Sequence, residues 1–334
     1  MKTAAGAVIA AALAAAAGMG AADMAAAQET TLRVNVFPGS QNLPIFTGLE
    51  RGVFAKHGLK IELQNTPNSD AQRAGLAEGK FEIAHAAVDN AVAMVEMAGR
   101  DVIIVMGGDG SMNEFMVRPE IAGFADFRGR ILAVDAPNTA YALVAKKILK
   151  NNGLLEARDY TVRAVGGTAQ RSAAIASDPS LAGGMINLPF SITVREKGVK
   201  SLGRSRDLIG PYQGSGAFVM RSWAQANGDP LERYIAAYLE SLRIAMDPAN
   251  RAAGAAALAA RLKLDPRVAE ETVGQLMIPG FGLAPDARLD MEGFRTVLAL
   301  RAEIEGQWGG KPPAPEKYLD LGYYDRALKR LGTN

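Results

Sequence analysis

The sequence predicts an α/β protein in which two similar lobes enclose a cleft. Segments typical of strands alternate with segments typical of helices from Thr31 onward, and this alternation starts again near Ile131. A short pattern of residues also recurs in both halves of the chain. A repeated strand–helix order implies mostly parallel sheets covered by helices. With 334 residues, the chain is long enough for about two domains.

The first half of this alternation contains four strand-like runs separated by helix-like segments. Residues 32–37 alternate apolar and polar side chains, as a half-buried strand does, and residues 102–106 form a continuous apolar run. Turn residues and glycines bound the segments between them. The predicted strands are residues 32–37, 59–64, 81–86 and 102–106, and the predicted helices are residues 43–54, 70–78 and 90–98.

The second half repeats this order and then becomes mostly helical. Strands are predicted at residues 131–135, 160–165, 184–187 and 218–221, and helices at residues 141–151 and 169–176. The tail then forms a helical C-terminal extension, with helices predicted at residues 230–246, 249–262, 266–277, 290–306 and 315–331.

The recurring pattern is the tripeptide Ala-Gln-Arg, at residues 71–73 and 169–171. In both places it follows a strand, a turn and a capping residue, which is Asp70 in one case and Thr168 in the other. The same placement in both halves favours two related α/β lobes of about 100 residues each.

The first 27 residues are typical of a secretory signal peptide. Lys2 precedes an Ala-rich apolar run, and Ala25-Ala26-Ala27 fits the small-residue cleavage rule, so cleavage is expected before Gln28. The alternative is a membrane anchor, but the run is short and is followed by two glycines. We therefore expect an exported protein.

Composition excludes several functional classes. Lys+Arg number 37 and Asp+Glu 35, a net charge of +2 that argues against a nucleic-acid-binding protein. The chain has no cysteine, which excludes disulfides, thiolate metal sites, cysteine nucleophiles and a lipidated N-terminal cysteine. His57 and His85 are the two histidines, too few for a multi-histidine metal centre. We expect no metal, no cofactor and no catalytic residues. An exported chain without cysteine also suits a Gram-negative periplasm.

Polar residues follow several predicted strands, where ligands of parallel sheets usually bind. Each has an alternative role: Asp89 is also a helix cap, the glycines around Gly108 suit a plain turn, and Phe190 is either a stacking or a core aromatic. The predicted ligand-binding residues are Ser40, Gln41, Asn42, Asp89, Asn90, Gly108, Asn138, Thr139, Tyr141, Thr168, Asn187 and Phe190.

Two further residues are left open by the sequence. Arg171 is suited to hold a carboxylate, but Arg73 occupies the equivalent place in the other lobe, which favours a structural role equally. His85 ends a predicted strand, and a single histidine there is more often a core residue than a catalyst.

Four segments resemble the motifs of a known family in their order along the chain. Residues 44–63 resemble its opening helix, which leads through a Gly-Phe-Phe-like step to Gly-Leu and a strand. Residues 76–84 resemble its small-x-Gly-x-x-Asp-Ile-Ala motif, with Glu82 where Asp is usual. Residues 124–134 are similar to its Asp-Leu-x-Gly-Lys entry to the second lobe, and residues 165–171 complete the match.

Over residues 31–250 the chain thus resembles the periplasmic substrate-binding proteins of ABC importers, of the nitrate/sulfonate/taurine and thiamine-pyrimidine-precursor type (NMT1/THI5-like). The resemblance implies a type II periplasmic-binding-protein fold that closes on its ligand by hinge motion. It places lobe I at residues 28–116 and 214–334 and lobe II at 117–213, with crossings near 114–121 and 210–220. The ligand varies within this family, so its identity is not inherited.

The expected function is that of a monomeric periplasmic solute receptor without catalysis. It would bind a small polar molecule, planar or bearing a carboxylate or sulfonate, and deliver it to an inner-membrane ABC permease and ATPase. The alternatives are a lyase or biosynthetic enzyme on the same fold, or a solute-sensing subunit. The pyrimidine synthases of this fold use a cysteine-rich motif, and a chain without cysteine argues against that activity.

Overall fold

The structure, a computed structural model, describes residues 29–332 and contains two five-stranded sheets with helices around both. The predicted signal peptide, residues 1–27, lies outside the described residues. Among residues 29–332, no helix is long and apolar enough to cross a membrane. The strands are β1 (Thr30–Val36), β2 (Leu59–Asn65), β3 (Ile83–Ala87), β4 (Val102–Met106), β5 (Asn113–Val117), β6 (Arg130–Val134), β7 (Tyr160–Ala164), β8 (Leu181–Asn187), β9 (Lys200–Arg204) and β10 (Ser215–Met220).

The α-helices of the described residues cover both faces of the two sheets, and six of them follow β10 in the C-terminal extension, where the sequence predicts five. They are α1 (Leu43–Glu50), α2 (Val53–Lys56), α3 (Ser69–Ala77), α4 (Asp89–Ala98), α5 (Ala140–Asn151), α6 (Thr168–Ser177), α7 (Phe190–Arg195), α8 (Ser205–Ile209), α9 (Arg221–Ala226), α10 (Gly228–Met246), α11 (Arg251–Leu262), α12 (Pro266–Leu276), α13 (Met291–Ile304) and α14 (Gly322–Arg330).

The two sheets have similar internal layouts. The first has the order β2-β1-β3-β10-β4, with β1 parallel to β2 and β3, and with β10 antiparallel to β3 and β4. The second has the order β7-β6-β8-β5-β9, with β6 parallel to β7 and β8, and with β5 antiparallel to β8 and β9. Each sheet therefore contains one strand that runs antiparallel to its neighbours: β10 in the first sheet and β5 in the second.

We name the two halves by their sheets: lobe I is residues 29–106 and 215–332, and lobe II is residues 113–209. The connecting segments are residues 107–112 and 210–214. The boundary predicted at residue 117 would remove β5 from the sheet in which it pairs with β8 and β9. No strand is predicted at β5, because this segment begins with two polar residues, Asn113 and Glu114, directly after a glycine-rich turn.

The end of the chain also differs from the prediction. Residues 315–331 are predicted as one helix, whereas Pro315–Tyr318 is a 3₁₀ turn and α14 begins at Gly322. The side chain of Asp320 accepts a hydrogen bond from the Gly322 amide at 3.2 Å. This local bond orders the turn between the two helical pieces, which favours a break over a continuous helix.

Three apolar clusters hold the chain together. One packs the first sheet against α10 and its neighbours, and another lies on the outer face of the second sheet. The third cluster is continuous across both lobes and includes Ile104 of β4, Phe115 of β5, Leu143 of α5 and Leu298 of α13. The side on which α13 lies is therefore a core shared by the two lobes.

His85, whose role the sequence left open, belongs to the core behind that cleft. It is buried in β3, with its Nε2 atom 2.8 Å from the hydroxyl of Tyr234 and its ring stacked on Tyr238 at 5.3 Å between centroids. Burial lowers the pKa of His85 to about 3, from an ordinary value of 6.5. The ring is therefore neutral at physiological pH.

The lowered pKa of His85 predicts that the protein becomes less stable in acid. Between pH 6.5 and about 3 the unfolded chain binds a proton on His85 that the folded chain does not, so the free energy of unfolding falls as the pH is lowered through this window. From pH 7 to pH 5 this contribution is about 2 kcal/mol. The replacement His85→Gln should remove it, as measured by urea unfolding at both pH values.

The other histidine supplies the matched control. His57 lies near the surface with its Nε2 atom 2.8 Å from Glu240, so His57→Gln removes a histidine without removing a buried one. An unchanged pH dependence in His85→Gln would contradict the prediction.

Candidate functional site

A cavity lies between the two lobes, with an empty volume of about 630 Å³ that includes space open to solvent. Lobe I, lobe II and the connecting segment that includes Asp109 and Met112 all contribute to its wall. The other lining residues are Phe37, Pro38, Gln41, Ser69, Ala86, Ala87, Asn90 and Ser215 from lobe I, and Asp135, Thr139, Ala140, Tyr141, Gly167, Thr168, Arg171 and Asn187 from lobe II.

The two lobes contact each other at this cavity through main-chain and side-chain hydrogen bonds. The amide of Gly167 donates to the carbonyl of Pro67 at 3.0 Å. The amide of Ser69, at the start of α3, donates to Oδ2 of Asp135 at 3.1 Å. These bonds join the start of α3 in lobe I to the strand ends of lobe II, so the cavity is closed on this side.

Half of the predicted ligand-binding residues line this cavity. They follow strands whose carboxyl ends meet at the seam between the lobes, where parallel sheets usually bind ligands. These residues are Gln41, Asn90, Thr139, Tyr141, Thr168 and Asn187.

Asp89 is predicted as a ligand contact, but its side chain is already fully paired. Both carboxylate oxygens accept hydrogen bonds from Arg301 of α13, at 2.5 and 2.7 Å, and both side chains are buried. Burial acts to lower the pKa of Arg301, but the charge of Asp89 and its hydrogen bonds outweigh it and raise that pKa. Arg301 also donates to the carbonyl of Asn138 at 3.2 Å, so the pair holds lobe I and lobe II together.

Ser40 and Asn42 serve the turn before α1 instead of the cavity wall. The side-chain amide of Asn42 donates to the carbonyl of Phe37 at 2.7 Å, which stabilises the turn. Ser40 is fully buried, and its main-chain amide donates to the carbonyl of Leu188 at 3.4 Å. Gln41, between them, is the one that reaches the cavity.

Gly108, Asn138 and Phe190 also lie outside the wall. Gly108 packs against the main chain of Ser215, where an added Cβ would lie 3.0 Å from the carbonyl oxygen. The side-chain amide of Asn138 points to Sδ of Met97 in a separate surface groove, at 3.8 Å. Phe190 packs on the apolar cluster of the outer face of the second sheet, so the core alternative for this aromatic describes its position.

Arg171 lines the cavity, but most of its donors are engaged within lobe II. Nε and Nη2 donate to the carbonyl of Met185 at 3.2 and 3.0 Å, Nη1 donates to the carbonyl of Gly166 at 2.8 Å, and Nη2 also donates to Thr168 Oγ1 at 3.0 Å. Burial lowers the pKa of Arg171, and the nearby charge of Asp135 opposes this. The guanidinium therefore braces the start of α6 against β8.

Asp109 and Asp135 are wall residues that the sequence analysis missed. Asp109 is buried; its Oδ1 atom accepts from the amides of Ser111 at 2.8 Å and Ser215 at 3.3 Å, and Oδ2 accepts from the Ser215 hydroxyl. Burial raises the pKa of Asp109, while these hydrogen bonds oppose the rise. The glycine-rich turn after β4 and the last predicted residue of the 131–135 strand were the available signals for these two aspartates.

Tyr141 gives the wall an aromatic surface with a polar tip. Burial, assisted by the charge of Asp109, raises the pKa of its phenol, so the hydroxyl keeps its proton. Phe37 lies on the opposite lobe, and the two rings offer apolar surface to a planar molecule. Within the described residues, no group of three or more His, Asp or Glu side chains is placed to hold a metal ion.

A family model described as NMT1/THI5 like matches residues 40–251, which is more than half of the chain. The chain belongs to this family. The match starts at the turn before α1 and ends at the beginning of α11, so it includes all of lobe II, part of lobe I and every residue of the cavity wall except Phe37 and Pro38. A search of curated proteins finds no match.

Solved structures share the fold of this NMT1/THI5-like chain over most of their length. The periplasmic nitrate-binding protein NrtA from Synechocystis PCC 6803 is 15% identical with a TM-score of 0.75, covering 90% of this chain and 89% of its own. The alkanesulfonate-binding protein SsuA from Xanthomonas axonopodis pv. citri, bound to MOPS, is 18% identical with a TM-score of 0.70, covering 89% and 98%. The desulfurization enzyme DSZB is 14% identical with a TM-score of 0.62, covering 90% and 99%.

These similarities confirm the predicted two-lobed periplasmic-binding-protein fold. Two of these three structures are named as binding proteins and one as an enzyme. The fold alone therefore does not separate binding from catalysis, and function must be argued from the cavity.

Because the side chain of Asp89 is paired with Arg301, we expect its replacement to lower the stability of the protein and not to remove a ligand contact. Asp89→Ala leaves the guanidinium of Arg301 buried without its partner and should reduce the free energy of unfolding by about 3–5 kcal/mol. Chemical denaturation measures this loss.

Asp70→Ala provides the control, because Asp70 is exposed and pairs with Arg73 on the surface of α3. Its effect should stay within about 1 kcal/mol. Equal losses in the two variants would refute the structural role of the buried pair.

Proposed function

We propose that the chain is an exported periplasmic solute receptor that binds one small polar molecule between its lobes and delivers it to an inner-membrane ABC permease and ATPase. Membership of the NMT1/THI5-like family and the names of two structural relatives support a receptor. In this proposal the chain acts as a monomer, performs no catalysis, and presents its closed shape to the permease.

The observation that carries the proposal is the cavity at the seam between the lobes. Its wall combines side chains from both sheets, and hydrogen bonds between the lobes, such as Gly167 to Pro67, close it on one side. A molecule in such a site contacts both lobes at once, so its binding energy favours the closed arrangement over a separated one.

The residues proposed to contact the solute are those that line the cavity. Gln41 and Asn90 approach from lobe I, and Thr139, Tyr141, Thr168 and Asn187 approach from lobe II; Asp135 joins them. Phe37 and Tyr141 provide apolar faces for a planar part of the solute.

The proposal predicts a solute that stabilises the protein without being consumed. A thermal-shift screen of residues 28–334 against sulfonates, aromatic acids, pyrimidines, amides, amidines and amino acids tests it. A ligand at about 100 times its Kd stabilises the folded state by about 2.7 kcal/mol. For a chain of this size the melting temperature should rise by at least about 2 °C.

Mass spectrometry of the recovered ligand completes this test. An unchanged ligand supports the receptor, whereas conversion of the hit into a product would replace it with the enzyme alternative. Native mass spectrometry of the untreated protein detects a ligand that is already bound. If the untreated protein carries no ligand and the panel contains no hit, the receptor proposal fails.

A substitution at the seam tests closure directly. A Cβ atom at position 167 would lie 2.9 Å from the Pro67 carbonyl oxygen and 3.2 Å from a ring carbon of Phe37. Gly167→Val therefore holds the lobes apart and should weaken binding of a screen hit by about tenfold or more, measured by calorimetry.

Gly123→Val is the matched control. Gly123 belongs to the same lobe and has an extended backbone, and no atom lies within 4 Å of an added Cβ. This variant should bind as the parent does. If the two valine variants bind equally well, closure across Gly167 is not part of binding.

A further inference from the structure

The polar atoms of the cavity wall indicate which chemical class of solute it accepts. Four buried side-chain atoms of wall residues have no hydrogen-bond partner, and all four are oxygens. Buried polar atoms are normally hydrogen-bonded, so oxygens left without a partner around a cavity can accept hydrogen bonds from donors on a ligand. The four atoms are Gln41 Oε1, Asn90 Oδ1, Asp135 Oδ1 and Asn187 Oδ1.

Neighbouring hydrogen bonds fix the orientation of one amide and support that of another. The nitrogen of Gln41 donates to the carbonyl of Phe37 at 3.1 Å, and turning this amide over would place two acceptors against each other. The nitrogen of Asn90 donates to the hydroxyl of Ser69 at 3.2 Å, and Asn90 is only 2% exposed. Asp135 is a carboxylate and accepts hydrogen bonds whichever way it is turned.

The balance of charge in the cavity wall also favours a ligand that donates hydrogen bonds. Asp109 and Asp135 are two acidic groups, and Arg171 is one basic group whose donors go mainly to main-chain carbonyls of its own lobe. An oxyanion would therefore meet unpartnered oxygens and a carboxylate, without a guanidinium free to bind it in the usual two-pronged way.

The starts of α5 and α6 add main-chain donors on the lobe II side. Neither helix has a side-chain cap, and Thr139, Ala140 and Thr168 bring both starts to the wall. Uncapped helix starts favour an acceptor group on the ligand. A solute that satisfies the whole wall therefore has an acceptor toward these helices and N–H donors toward the oxygens.

We infer that the solute is a small nitrogen compound, neutral or singly positive, whose N–H groups donate to Asp135 and Asn90, and not a bare oxyanion. This inference rests on the proposed function and specifies its ligand class. It also separates this chain from the relatives named for nitrate and alkanesulfonate.

A pair of probes with one shape and opposite hydrogen-bonding character tests the inference. Benzamidinium and benzoate are both planar, but the first presents N–H donors where the second presents oxygen acceptors. Calorimetry and saturation-transfer NMR with residues 28–334 should show benzamidinium binding at least about tenfold more tightly than benzoate.

Variants of the wall show where the preference arises. Asp135→Asn should weaken benzamidinium binding by about tenfold and reduce the preference over benzoate. Asn90→Ala provides a second variant if the loss of the Asp135 contact to Ser69 impairs folding, and it should weaken benzamidinium by about threefold or more. Asp101→Asn removes an exposed aspartate outside the cavity, which pairs with Arg221, and should change neither affinity.

Three results would overturn the inference. Benzoate binds as tightly as benzamidinium or more tightly, the preference survives intact in both wall variants, or benzamidinium fails to bind at concentrations up to about 10 mM. The receptor proposal is judged separately by the solute screen and by Gly167→Val. An oxyanion that binds in the cavity and loses affinity in Gly167→Val would leave the receptor standing and remove the nitrogen-donor class.

Discussion

The buried carboxylate of Asp109 joins the two places where the chain passes between the lobes. Its Oδ1 atom accepts from the amides of Ser111 and Ser215, its Oδ2 atom accepts from the Ser215 hydroxyl, and its carbonyl accepts from the amide of Gly214 at 3.0 Å. The first connection and the start of β10 are thus held side by side at the wall of the cavity. Both crossings are therefore held together at one point of the cavity wall.

The charged groups around the cleft divide into two kinds, those that hold the fold and those that remain available. Arg301 neutralises Asp89 and reaches the Asn138 carbonyl, while Arg171 braces α6 against β8. A buried guanidinium with its donors engaged is a structural group, because losing a partner leaves an uncompensated charge. Asp135 differs, since only one of its oxygens has a partner. This division is the physical basis for a wall that favours donors over anions.

Neighbouring residues in the sequence illustrate how far local patterns lead. Asp89 and Asn90 both follow β3 and both suit the start of a helix, and both are predicted as ligand contacts. Asn90 lines the cavity, whereas the carboxylate of Asp89 is paired with Arg301, a residue 212 positions away in the chain. Consecutive residues of a helix point about 100° apart, so one faces the cleft and the other faces α13. Which of them meets which partner depends on how α13 packs against α4, and no local pattern predicts that packing.

The sequence by itself determined the α/β class, the two-lobed order, the family and the edge of each sheet where the cavity lies. These properties follow from apolar periodicity and turn chemistry, which act over a few residues, and from motifs that keep their order along the chain. Only the tertiary structure decided that β5 joins lobe II, that Asp109 clamps both crossings, and which polar groups remain unpaired. Such outcomes depend on contacts between residues far apart in the chain, and those contacts exist only after the lobes have packed.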